Sequence, residues 1–180
     1  EDNFLPEITE QLEQSSDYHA RRKAIAEFNK HSPILKKGLA ITPVKFGISF
    51  TATFLNQAGA LIHIYTDGSI HLNHGGTEMG QGLNIKVAQI VAEEFQVDVE
   101  RIQITATNTD KVPNTSPTAA SSGTDLNGKA AQNAALTIKQ RLIEFAASHF
   151  NVSQEDIVFK NGMVVIRDEI LTFEAFVQLA

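Results

Sequence analysis

Cysteine is absent from the 180 residues, which excludes disulfides, thiolate zinc sites, iron–sulfur ligation and a cysteine nucleophile from this chain. Redox chemistry would therefore need a bound cofactor. No apolar run approaches the roughly 20 residues that a membrane-spanning helix requires. The opening Glu1-Asp2-Asn3-Phe4 has neither the basic nor the apolar region of a signal peptide, so a cytoplasmic protein is expected. Basic charge is also scarce: 15 Lys plus Arg stand against 21 Asp plus Glu, a net charge of -6. Such a balance gives no broad attraction for nucleic acid or an anionic membrane, and an anionic ligand would have to be held locally.

With 42% hydrophobic and 20% charged residues, the composition is that of an ordinary globular protein, long enough for one substantial core or two small ones. The chain begins with Glu rather than Met and stops inside the apolar stretch 173–180 without a helix-stop signal. A piece of a longer protein is the expectation.

Apolar residues at helical spacing, Leu5, Ile8 and Leu12 and then Tyr18, Ile25 and Phe28, predict two helices, the second capped by Ser16 or Asp17. From residue 38 to 54 the pattern turns to β-branched and aromatic residues, with Ile41, Val44, Phe46, Ile48 and Phe50 near a period of two, which predicts a strand bent at Pro43 and Gly47. Residues 60–66 and 69–74 flank Asp67-Gly68, a pair suited to the positive φ angles of a two-residue hairpin turn. Leu83, Val87, Ile90, Val91 and Phe95 mark an amphipathic helix, and residues 102–107 a strand. Leu126, Ala130, Ala134, Ile138, Leu142 and Phe145 form the longest helical stripe, with Thr124 or Asp125 as its cap. Residues 157–160 and 163–166 surround Asn161-Gly162, a second hairpin signal. The expected class is α+β, a mixed, largely antiparallel sheet with helices packed on one side.

Two loops could carry chemistry. Gly75-Gly76-Thr77-Glu78-Met79-Gly80-Gln81-Gly82 lies between a strand and a helix, where glycines allow close backbone approach and free N–H groups at the helix start favour an anion. Gln81 adds an amide that both donates and accepts. The segment has no P-loop ending and no dinucleotide fingerprint, and by spacing alone a tight strand-to-helix turn accounts for it as well as a ligand loop does. Residues 113–124 lead into the long helix with small side chains that leave amides uncovered, yet a plain Pro/Ser/Thr loop explains them too. His63, His71 and His74 fall on one hairpin without a neighbouring carboxylate, and alternation puts His71 and His74 on opposite faces. Surface or strand-pairing roles fit them better than metal ligation. No Ser-His-Asp set or carboxylate pair assembles, because Glu78, Glu93 and Glu94 are accounted for by helix exposure or capping.

The runs Lys45-Phe46-Gly47-Ile48-Ser49-Phe50-Thr51, Asn56-Gln57-Ala58-Gly59-Ala60, Tyr65-Thr66-Asp67-Gly68-Ser69, the 75–82 loop, Asn114-Thr115-Ser116-Pro117-Thr118-Ala119-Ala120-Ser121 and Asp125-Leu126-Asn127-Gly128, in this order, resemble the molybdopterin-binding region of xanthine dehydrogenases. The resemblance extends from about residue 18 to about residue 142. It implies a helical connecting segment over 1–36 and, over 37–180, an incomplete molybdopterin-binding domain belonging to a larger architecture. In that family a molybdenum atom carried by molybdopterin hydroxylates purines, and electrons leave through iron–sulfur clusters to FAD and NAD elsewhere in the enzyme, while the protein supplies orientation and electrostatics. The partners implied are the remainder of the molybdenum-binding subunit, iron–sulfur and flavin domains or subunits, and a purine.

By the same resemblance, Met79, Gly80 and Gln81 are implied as the cofactor-contacting turn. Ala119, Ala120 and Ser121 are implied as the small-residue loop beside the pterin, with Ala120 next to the molybdenum without ligating it. Phe50 and Thr51 are implied as the aromatic face and hydroxyl that hold the purine, although alternation with Phe46 and Ile48 equally makes Phe50 a core strand residue. The family's catalytic glutamate belongs downstream of this stretch and its substrate-fixing arginine upstream, so no catalytic residue is expected in the chain and the isolated piece is expected to be inactive. Two other readings are a non-catalytic α+β assembly module and the equivalent part of an aldehyde oxidase-like enzyme. Gly123-Thr124 stands where many relatives carry other small residues, which leaves the finer contacts of that loop open.

Overall fold

Two separately packed units make up the chain in the computed structural model, one ending at Gly47 and one running from Ile48 to Ala180. Residues 3–44, 47, 48, 50–111 and 114–180 are described. The first unit holds α1 (Leu5–Ser15) and α2 (Tyr18–His31). Pro6 sits in the first turn of α1, where its missing N–H costs nothing. Asp17 stands at the start of α2 in the left-handed region but caps it with no side-chain hydrogen bond. Neither helix has a buried residue. The chain after α2 is tied back by Asn29, whose amide donates to the Lys37 carbonyl and accepts from the Lys37 N–H, both at 2.9 Å.

The strand expected over 38–54 is not found among its described residues, which contain only a 3-10 turn, Thr53–Leu55. A strand needs a neighbour to take its N–H and C=O groups, and here Val44 and Ile48 are exposed at 72% and 64% with no ladder recorded beside them. Lys45, Phe46 and Ser49 of that run, and Pro113 of the second loop, lie outside the described residues.

Among its described residues the second unit holds two three-stranded sheets. In the first, β1 (Ala60–Ile64) pairs antiparallel with β2 (Ile70–His74), and β2 pairs in parallel with β3 (Ile102–Ile104). The parallel pair is joined through α3 (Leu83–Phe95), which keeps its predicted face: Leu83, Val87, Val91 and Phe95 are buried. Each such side chain contributes about 1.5–3 kcal/mol of apolar burial. The hairpin turn differs from the two-residue form expected. Tyr65 and Ser69 close it, and of Asp67 and Gly68 only Gly68 has positive φ, the pattern of a turn followed by a left-handed glycine.

Helix α4 (Gly123–Phe150) packs on α3 through small residues. Gly128, Ala131 and Ala135 are fully buried with Asn127, while the predicted stripe of Leu126, Ala130, Ala134, Ile138, Leu142 and Phe145 is half-buried. The small residues let the two helix backbones approach closely, so the longer side chains flank the seam instead of filling it. Neither Thr124 nor Asp125 caps α4; the capping position belongs to Ser122, without a side-chain bond.

The second sheet runs β4 (Ile157–Lys160), β5 (Met163–Ile166), β6 (Glu169–Thr172), all antiparallel. Asn161 and Gly162 both have positive φ, as the two-residue turn requires. β6 carries no sequence signature, because the bend before it is made by Arg167 at φ 52°, held by its N–H to the Asp156 carbonyl and by an ion pair with the Asp156 carboxylate, both 2.9 Å. Thr172 caps α5 (Phe173–Leu179) through the Ala175 N–H at 3.1 Å, and Phe95, Phe159, Phe173 and Phe176 pack their rings together. The result is α+β, with the strands divided between two small sheets.

Candidate functional site

The parallel pairing of β2 and β3 brings the segment after β3 to the base of the first loop. His74, 1% exposed, accepts the Gly76 N–H at Nδ1, 3.1 Å away. The Thr107 hydroxyl binds the carbonyls of His74 and Gly76 at 3.2 and 2.8 Å. His74 is therefore a buried loop anchor and not a surface histidine. With Nδ1 accepting, the neutral ring carries its proton on Nε2, which has no hydrogen-bond partner among the described residues. Burial holds its pKa below the ordinary histidine value, against smaller opposing pulls from the Asn84 side chain and the Glu78 charge; Asn84 is near enough to favour a charged ring without meeting hydrogen-bond geometry at Nε2. His63 and His71 form a stacked cross-strand pair, 6.3 Å between ring centroids. No cluster of His, Cys, Asp or Glu able to hold a metal ion occurs among the described residues.

Beyond Gly76 the loop is organised by Glu78. Its carboxylate accepts the N–H groups of Gly80 at 2.9 Å, Gly82 at 3.0 Å and Asn84 at 2.9 Å. These amides, Asn84's foremost, hold the carboxyl below the ordinary carboxylate value. At the start of α3 the Gly82 and Asn84 amides are thus bonded from within and are not free for an anion. Gln81 is equally committed: its side-chain oxygen accepts the Met79 N–H at 2.6 Å and its nitrogen donates to the Thr77 carbonyl at 2.9 Å. Lys86 donates to the Gln81 carbonyl at 3.1 Å.

The second loop reaches the first directly, because the Thr77 N–H donates to the Thr118 hydroxyl at 2.8 Å. Ala120 and Ser121 follow at φ 54° and 57°, left-handed conformations that cost a non-glycine residue free energy and persist only where surroundings impose them. They turn the chain into α4, whose start has no side-chain cap. Between the loops lies a hollow of about 340 Å³ lined by Met79, Gln81, Lys86, Ala119, Ser121 and Thr124, among others. It thus brings together residues from both predicted loops. Gly80 and Ala120 belong to the same bends without lining it. Phe50 and Thr51 are exposed and do not line it either; their segment joins the second loop through Gln57, whose N–H donates to the Ser116 hydroxyl and whose carbonyl accepts the Ser116 N–H, both at 2.9 Å.

A flat, anionic pterin fits these residues. The volume lies within the roughly 300–1,000 Å³ of small-molecule sites, Ala119, Ser121 and Gly123 leave room along one wall, and Lys86 is the only charged side chain among the described lining residues. Residues 11–180 match the molybdopterin cofactor-binding domain family. The chain belongs to that family. This molybdopterin cofactor-binding domain is 55% identical over 142 residues to a xanthine dehydrogenase/oxidase of Gallus gallus, covering 79% of the chain and 10% of the relative. It is 50% identical over 150 residues to a xanthine dehydrogenase of Dictyostelium discoideum, covering 83% and 11%. The chain therefore spans about a tenth of the length of these curated relatives. Among solved structures, a reconstituted CO dehydrogenase from Oligotropha carboxidovorans superposes with TM-score 0.62 at 28% identity, over 68% of the chain and 16% of that protein.

Glu78, Thr118 and Lys86 join the site through contacts that a sequence leaves open. Glu78 was legible only as a helix cap, and its three amide bonds give it the larger role of shaping the bend.

Proposed function

We propose that this chain is the part of a longer molybdenum hydroxylase, acting on xanthine or hypoxanthine in the cytoplasm, that cradles the cofactor. Residues 37–180 form the cradle and 1–36 a helical connecting segment. The observation that carries the reading is the hollow lined at once by Met79 and Gln81 and by Ala119 and Ser121. When bound, the molybdenum pterin supplies the two-electron redox chemistry. Met79, Gly80 and Gln81 hold it from one side and Ala119, Ala120 and Ser121 from the other, with Ala120 beside the metal and leaving it accessible. Phe50 stacks on the purine and Thr51 bonds its polar edge. Iron–sulfur and flavin domains or subunits then carry electrons away to NAD.

The isolated chain is inactive on this reading, since base and electrostatic clamp lie outside it. Molybdenum and pterin analysis of the full-length protein, purified from cells that load related enzymes, tests the proposal. About one molybdenum per chain and xanthine-dependent reduction of NAD are expected. A metal-free protein from such cells would refute it.

A further inference from the structure

The peptide between Gln81 and Gly82 is gripped from both ends: Glu78 accepts its N–H at 3.0 Å, and Lys86 donates to its carbonyl at 3.1 Å. The same carboxylate takes the Gly80 and Asn84 amides, and Gln81 ties its own side chain to Met79 and Thr77. Gly80 at φ 99° and Gly82 at φ 75° have no side chain to limit their backbone, so the bend owes its shape to these bonds rather than to packing. Met79 and Glu78 are both exposed, which leaves no buried side chain to fix it. Charge-assisted hydrogen bonds of this kind are about twice as strong as neutral ones.

We infer that Glu78 is a positioning residue for the cofactor, acting with Lys86 by locking the Met79–Gly80–Gln81 bend into the form that faces the hollow. Glu78 touches no ligand on this account; its carboxylate also cancels the positive end of α3, so an anionic cofactor is not drawn onto that helix start. The inference rests on the cofactor-binding reading above.

The test compares the full-length wild type with E78A and T172A, the last of which removes the hydroxyl that caps α5, an element that does not line the hollow. In E78A, molybdenum and pterin content should fall at least about tenfold, as the loss of a charged hydrogen-bond partner implies, and the Gly80, Gly82 and Asn84 amides should exchange faster with solvent. Formate supplied during loading, a free carboxylate that can occupy the vacated amides, should restore content toward wild type. T172A should retain its cofactor. Equal loading of E78A and wild type, or depletion that formate leaves unchanged, overturns the role of Glu78 while leaving the function standing. Absence of molybdenum from the wild type overturns the function and this inference together.

Discussion

Gly76→Ala puts a methyl where the structure leaves no room. The added Cβ would lie 2.5 Å from Leu83 Cδ2 and 2.9 Å from Asn127 Nδ2. Leu83 is 1% exposed and begins α3, and Asn127 uses that nitrogen to hold the Gly123 carbonyl at 2.9 Å. Relief therefore requires moving a packed side chain or breaking a bond within the first turn of α4. Overpacking of this sort costs about 1–3 kcal/mol, which for a chain of this size lowers Tm by roughly 2–12 °C. Gly128→Ala offers an internal comparison: its Cβ would meet Ile90 Cδ1 at 2.6 Å, but that atom ends a half-buried side chain that can rotate away. Alanine also gains about 1 kcal/mol of helix propensity there, so G128A should stay within about 1 kcal/mol of wild type. Urea unfolding of the chain, followed by far-ultraviolet circular dichroism, measures both. Should G76A match wild type, or G128A prove the costlier change, the close approach of the first loop to α3 and α4 would be misdescribed.

Removing the Thr118 hydroxyl with T118V deprives the Thr77 N–H of its acceptor; stability should fall by about 1 kcal/mol, with faster exchange of the Thr77 amide by NMR. Because Ala120 is left-handed, A120V should cost about 1–3 kcal/mol and A120G about 1 kcal/mol or less, a ranking that equilibrium unfolding would expose. The folded pKa of His74 lies below its ordinary value, so the unfolded chain binds the proton first as pH falls. Stability should decline below about pH 6.5 and level off under the folded value, and H74F should lose that component of the urea-midpoint profile. Glu78, also lowered, contributes stability present above the ordinary carboxylate pKa and lost as pH drops through its folded one; E78Q should remove this acid step.

The helices, the two hairpins and the two loops were legible in the order of residues, because each is written in local chemistry. The period of Leu83, Val87, Val91 and Phe95 needs only one buried side, and Asn161-Gly162 needs only tolerance of positive φ. The order of short motifs likewise placed the chain in a cofactor-binding family. Features that depend on neighbours distant in sequence emerged only with the folded chain. Residues 38–54 have a strand's alternation, but alternation cannot supply a ladder partner, and their described part forms none. β6 exists because Asp156 holds Arg167 in a bend that no turn residue announces. Glu78 could be foreseen as a helix cap, whereas its hold on Gly80, Gly82 and Asn84 together is a matter of backbone direction. His74 alternates like its neighbours, and only the sheet and the covering helices make it a buried anchor. Periodicity and turn chemistry act over a few residues, while burial, ladder partners and the facing of two loops arise from closing the chain over tens of residues.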